Sequence, residues 1–119
     1  MSKIKLFDPY TDESEKVAIK RVLDSHFWAS GAGTGEVQKF EKEFSKYIDS
    51  KSCVALNSGT AALNLALSMY DIKNSEVILP SLSFVATANA VIENGGIPKF
   101  VDVDENTLCI DPEKISKAI

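Results

Sequence analysis

The sequence predicts an α/β fold, a mostly parallel sheet with flanking helices. Three observations predict it. Short apolar runs bounded by turn residues alternate with segments of helical period. After residue 50 their order is strand, helix, strand, helix, strand. The helical segments between the runs are long enough to cross over and return the chain parallel to itself.

The first ten residues look like an arm that ends in the turn signal Asp8-Pro9-Tyr10. Asp12 followed by Glu15 has the spacing of a capping box, and Ile19, Val22, Leu23 and Phe27 then recur at helical intervals. Trp28 to Gly35 breaks the pattern with closely spaced glycines, which mark a loop. This divides the chain into residues 1–35 (arm, first helix and Gly-rich loop) and an α/β domain over 36–119. A second helix is expected from Glu36 to Ile48, with Val37, Phe40, Phe44, Tyr47 and Ile48 along one stripe. Cys53-Val54-Ala55-Leu56 predicts a short buried strand. Thr60 to Tyr70 is helix-forming and apolar on nearly all sides, so deep burial is expected. Glu76 to Leu79 is the next strand, ended by Pro80. A helix from Phe84 to Glu93 stops at Asn94-Gly95-Gly96. Lys99 to Val103 is a third strand. Asp111-Pro112 opens a last helix, with Asp as N-cap and Pro at the first helical position. Ile115, Ala118 and Ile119 begin an apolar face there with no stop signal after it. This leads to the expectation that the chain is the N-terminal piece of a larger protein.

Composition narrows the function. The chain has 119 residues, 45% of them hydrophobic and 25% charged, as in globular domains. Its 13 basic and 17 acidic residues give a net charge of -4, with Arg21 the single arginine. That balance argues against nucleic acid, whose phosphate backbone selects a basic excess. No apolar run approaches the roughly 20 residues that span a bilayer. Met1 to Lys5 lacks the apolar core of a signal peptide. Cys53 and Cys109 lie in apolar runs without a metal-binding spacing, so a cytoplasmic chain with buried free thiols is expected.

Asn57-Ser58-Gly59-Thr60-Ala61 falls between a predicted strand and a predicted helix. The free N–H groups of Gly59, Thr60 and Ala61 would open the helix where its dipole favours an anion, and the Ser58 and Thr60 hydroxyls add donors. An ordinary Ser or Thr cap explains the same residues. Pro80 to Thr87 also follows a strand and opens a helix, which puts Phe84 beside that cradle or in the core. Asp102 and Asp104 either bind a metal, polarise a ring, or form a solvated turn. His26, the only histidine, has no Ser or Cys partner for a triad and is explained by helical packing. Trp28 on the Gly-rich loop suits an interface or the mouth of a ligand site.

Taken in order, these segments resemble the DegT/StrS-type family of pyridoxal-phosphate-dependent sugar aminotransferases. The shared stretches include Trp28-Ala29-Ser30-Gly31, Phe40 to Phe44, Asn57 to Leu63 and Glu76 to Pro80. They continue through Phe84 to Ala90, Pro98 to Asp104 and Ile110 to Ile115. The resemblance implies the N-terminal part of the large domain of a fold-type-I enzyme. It implies pyridoxal phosphate as cofactor, with its phosphate held by Ser58, Gly59, Thr60 and Ala61 and its ring against Phe84. Trp28, Ser30 and Gly31 then lie on a substrate or interface loop that often reaches across a homodimer. Gly33 to Glu36 is longer than the family's usual turn, and Asn74-Ser75-Glu76 replaces its commoner Gly-Asp-Glu. The family's Schiff-base lysine lies further along the chain, and no lysine here occupies a matching motif, so no catalytic residue is assigned. The implied reaction moves an amino group from glutamate to a keto-sugar nucleotide, in amino-sugar and polysaccharide biosynthesis, with this chain inactive alone. Two alternatives stand beside it: a sugar dehydratase of the same family, and a non-catalytic module that binds a phosphorylated ligand or another chain.

Overall fold

The computed structural model describes residues 4–5, 7–28 and 35–119. It falls into two compact units, Met1–Ala55 and Leu56–Ile119.

The first unit is helical. Helix α1 (Glu13–Asp24) starts at the predicted capping box: the Asp12 carboxylate accepts from Ser14 N–H at 2.7 Å, and Asp12 N–H donates to Glu15 Oε2 at 2.6 Å. Helix α2 (Glu36–Tyr47) begins after Gly35, whose φ of 111° disfavours any side chain. A Cβ there would also stand 3.0 Å from the Phe27 ring. Arg21 bridges to Glu36 at 2.9 Å and ties α1 to α2. Phe40 and Phe44 stack at 5.6 Å along the expected stripe.

The predicted strand at Cys53–Leu56 does not form. The segment has no strand partner among the described residues, and Val54 is 73% exposed. A strand needs a neighbouring edge; here the Ala55 N–H instead donates to Glu41 Oε1 of α2 at 2.9 Å. The thiols differ from expectation too: Cys53 is half-buried and Cys109, in a turn, is exposed, though both are free.

The second unit holds the sheet. Strands β1 (Glu76–Pro80) and β2 (Ile97–Val101) pair in parallel, from Glu76 opposite Ile97 to Pro80 opposite Val101. Helix α4 (Val85–Glu93) makes the crossover and lies on both strands. Ala86 and Ala90 let it approach closely, and they form the core with Leu79, Val91 and Val101. Gly96, just before β2, is needed for that approach: a Cβ would meet Val91 Cγ1 at 2.9 Å. The strand β2 begins two residues before the predicted start.

Helix α3 (Gly59–Ser68) packs on α4. Asn94 Nδ2 joins them, donating to Asn64 O at 3.3 Å, while Asn64 donates to Glu93. The expected deep burial of α3 is not found: Leu63, Leu65, Met69 and Tyr70 are exposed. Packing against a single helix covers only one of its faces. After β2 the chain turns at Asp104 to Cys109, bridges Val103 to Ile110, and enters α5 (Pro112–Ala118), capped by Asp111 as predicted. Among the described residues no helix is long and apolar enough to cross a membrane.

Candidate functional site

The site forms where α3 and α4 begin. Ser58, extended at φ -161°, is the N-cap of α3, and its Oγ accepts from Ala61 N–H at 3.1 Å. Its carbonyl takes the Ala62 N–H at 3.1 Å. The cap therefore does form, and it engages one of the three amides expected to be free. Among the described residues, Gly59 and Thr60 N–H have no acceptor. A Cβ added at Gly59 would meet nothing within 4 Å, so the space before the helix is open. No acidic residue lies in the first turn of α3, and the dipole there is uncompensated.

Phe84 is the N-cap residue of α4, with φ -89° and ψ 146°. The extended backbone turns its ring out of the core, and the residue is 76% exposed. Gly59, Thr60, Ala62, Leu63, Phe84, Ala86 and Thr87 line one open cleft of about 600 Å³. The structure thus brings the start of α3 and the Phe84 ring to a common space. No lysine among the described residues lines it. Ser58 and Ala61 line an adjoining groove with Asn57, Asn64, Leu65 and Glu93. Amide and hydroxyl donors, apolar side chains and an aromatic ring lining one cleft suit a phosphorylated aromatic ligand.

Thr87 is a cleft residue that sequence reasoning left without a role. Its hydroxyl lies 3.1 Å from that of Ser83 in the turn before α4, and the spacing of four residues between the two hydroxyls was the available signal.

Asp102 and Asp104 do not line the cleft. Asp104 is the solvated turn: its carboxylate accepts from Thr107 N–H at 2.8 Å and Asn106 N–H at 3.1 Å, and the Thr107 amide leads in holding its pKa down. Asp102 accepts from Val103 N–H, Ser81 Oγ and Lys114 Nζ; the Val103 amide and then Lys114 keep its carboxyl below the usual range. Trp28 and His26 belong to the first unit, where the Trp28 indole N–H donates to Val22 O at 3.2 Å and the two rings lie 6.3 Å apart. Ser30 and Gly31 lie outside the described residues.

Residues 9–119 match the DegT/DnrJ/EryC1/StrS aminotransferase family. The spore coat polysaccharide biosynthesis protein SpsC of Bacillus subtilis (strain 168) is 43% identical over 112 residues, covering 93% of this chain and 28% of that protein. A dTDP-3-amino-3,6-dideoxy-alpha-D-galactopyranose transaminase of Aneurinibacillus thermoaerophilus is 41% identical over 103 residues, 86% of this chain and 28% of its own length. Among solved structures, the E. coli GDP-4-keto-6-deoxy-D-mannose-3-dehydratase with bound hydrated pyridoxal phosphate superposes with a TM-score of 0.86 at 33% identity, covering 100% of this chain and 32% of that one. The α/β arrangement is therefore that of one part of these enzymes. The chain spans 28% to 32% of the length of these three proteins.

Proposed function

The chain belongs to the DegT/DnrJ/EryC1/StrS aminotransferase family, and from that premise we propose that it is the cofactor-binding N-terminal part of a sugar aminotransferase. The enzyme would take pyridoxal phosphate as cofactor, a keto-sugar nucleotide as substrate and glutamate as amino donor. The observation that carries this reading is the common cleft of Gly59, Thr60 and Phe84. Pyridoxal phosphate supplies the electron sink through which an amino group leaves a donor and enters a ketone.

This chain's residues bind and orient. The amides of Gly59 and Thr60 hold the phosphate at the positive end of α3, and the Thr60 hydroxyl adds a donor. Ala61 acts through Ser58: its N–H takes one lone pair of Oγ, which leaves the Ser58 hydroxyl proton free for the phosphate. Phe84 covers one face of the ring and keeps water from it. The reactive lysine comes from a segment outside these 119 residues, and without it this chain turns nothing over. The Gly-rich loop with Trp28, Ser30 and Gly31 serves the substrate side in a cytoplasmic homodimer.

The test is to incubate the full-length protein with glutamate and dTDP- or GDP-linked keto-sugars and to follow both products by mass spectrometry. Amination of the sugar with formation of 2-oxoglutarate is expected. Loss of a sugar hydroxyl instead would give the second reading, a dehydratase like the E. coli enzyme that is 33% identical. Neither product, with retained binding of a phosphorylated ligand, would leave a non-catalytic module.

A further inference from the structure

We propose that Asp102 is a positioning residue for Phe84: through Ser81 it fixes the turn that aims the ring into the cleft. The inference rests on the assignment of Phe84 to the cofactor ring.

Ser81 to Phe84 is the connection from β1 to α4. Its two large side chains, Leu82 and Phe84, are 58% and 76% exposed. Within these residues packing does little to set the direction of the ring, and polar anchors hold the turn that carries it. At the β1 end, Ser81 N–H donates to Val101 O at 2.8 Å and Ser81 Oγ donates to Asp102 Oδ1 at 3.3 Å. At the α4 end, Thr87 N–H donates to Phe84 O at 3.0 Å, and the Ser83 and Thr87 hydroxyls meet at 3.1 Å.

Asp102 is itself braced. Val103 N–H donates to Oδ1 at 3.0 Å, and Lys114 Nζ of α5 donates to Oδ2 at 3.4 Å. Lys114 also reaches Val103 O at 3.5 Å and faces Asp111 Oδ2 at 3.8 Å. One carboxylate oxygen serves the turn and the other serves α5, so the plane of the group is set from both sides. Asp102 follows β2 and Ser81 follows β1, which puts the link across the carboxyl ends of two parallel strands, the edge where open α/β sheets bind ligands. Exposed bonds of this kind contribute little to global stability one by one. Their effect is local, narrowing the directions open to one short turn.

The experiment uses the full-length protein with a para-fluorinated phenylalanine at position 84, read by fluorine NMR without cofactor. Asp102→Ala and Ser81→Ala are expected to move or broaden the resonance in the same way, while Ser81→Thr, which keeps the hydroxyl, retains the original signal. Binding of pyridoxamine phosphate should weaken about fivefold in the two alanine variants, the worth of aromatic stacking that needs an aligned ring. A resonance that stays in place in Ser81→Ala and Asp102→Ala, whatever their melting temperatures, overturns the proposal. If Asp102→Ala fails to fold, the Ser81 pair decides alone. A resonance that responds to the substitutions, when the unsubstituted protein does not bind pyridoxamine phosphate, would instead refute the assignment of Phe84 to a cofactor. An unmoved resonance with intact binding refutes the role of Asp102 alone.

Discussion

At the first turn of α3, one serine does two jobs that compete for the same backbone. Ser58 Oγ takes the Ala61 N–H, which secures the helix but removes that amide from any ligand. Ser58→Ala should therefore lower stability by about 1 kcal/mol in urea unfolding. Gly59→Ala should behave oppositely. Its Cβ meets nothing within 4 Å, so folding should be unharmed or slightly favoured. A methyl group at the cleft that Gly59 lines is expected to crowd a phosphate there, and affinity for pyridoxamine phosphate should fall by about tenfold, the loss of one good hydrogen bond. Equal affinity in a folded Gly59→Ala protein would contradict the cradle. The cap is legible in Asn57-Ser58-Gly59-Thr60-Ala61, and the same residues suggest the proposed cradle. Which amide each would take is not, because that depends on the Ser58 rotamer.

Among the elements, what could be read from sequence follows the range of the forces involved. The starts of α1 and α5 are local events, settled by Asp12 with Glu15 and by Asp111 with Pro112. The stop of α4 before Gly95 is equally local. Strand formation at Cys53–Leu56 needs a partner edge that no local pattern supplies, and the burial of α3 needs a second layer against Leu65 and Met69. Those two expectations failed for that shared reason. Gly96 marks a close junction between elements. Its missing Cβ leaves room for Val91, which is 1% exposed and flanked by the sheet. Gly96→Ala should cost about 1–3 kcal/mol by thermal denaturation, because the buried Val91 cannot move aside freely. A change within error would mean that α4 does not sit as closely on β2 as the structure places it.

Over the whole molecule, charge is organised on the outside. Ser14 chiefly lowers the pKa of Asp12, Lys39 and then Arg21 that of Glu36, the Val103 amide that of Asp102 and the Thr107 amide that of Asp104. A carboxyl whose folded pKa is depressed releases its proton more readily folded than unfolded. Its contribution is complete above the unfolded pKa and is lost as pH falls through the folded value. The melting temperature should thus be level between about pH 7 and pH 5 and decline below about pH 4. A maximum near pH 4 would contradict the assigned hydrogen bonds. The apolar residues buried among those described are few, Leu79, Ala86, Ala90, Val91 and Val101, while Phe40, Leu65, Phe84 and Phe100 face outward. The 119-residue chain alone should accordingly bind a hydrophobic dye strongly, and the full-length protein weakly. Equal dye binding would mean that these faces stay open in both.

The most direct test of the phosphate cradle compares pyridoxamine phosphate with pyridoxamine by calorimetry on the full-length protein, since neither ligand bonds covalently to lysine. Two charge-assisted amide bonds predict a preference for the phosphorylated form of about a hundredfold or more, reduced by at least tenfold in Gly59→Ala. Equal affinities for the two ligands, or a preference untouched by the substitution, would contradict the assignment.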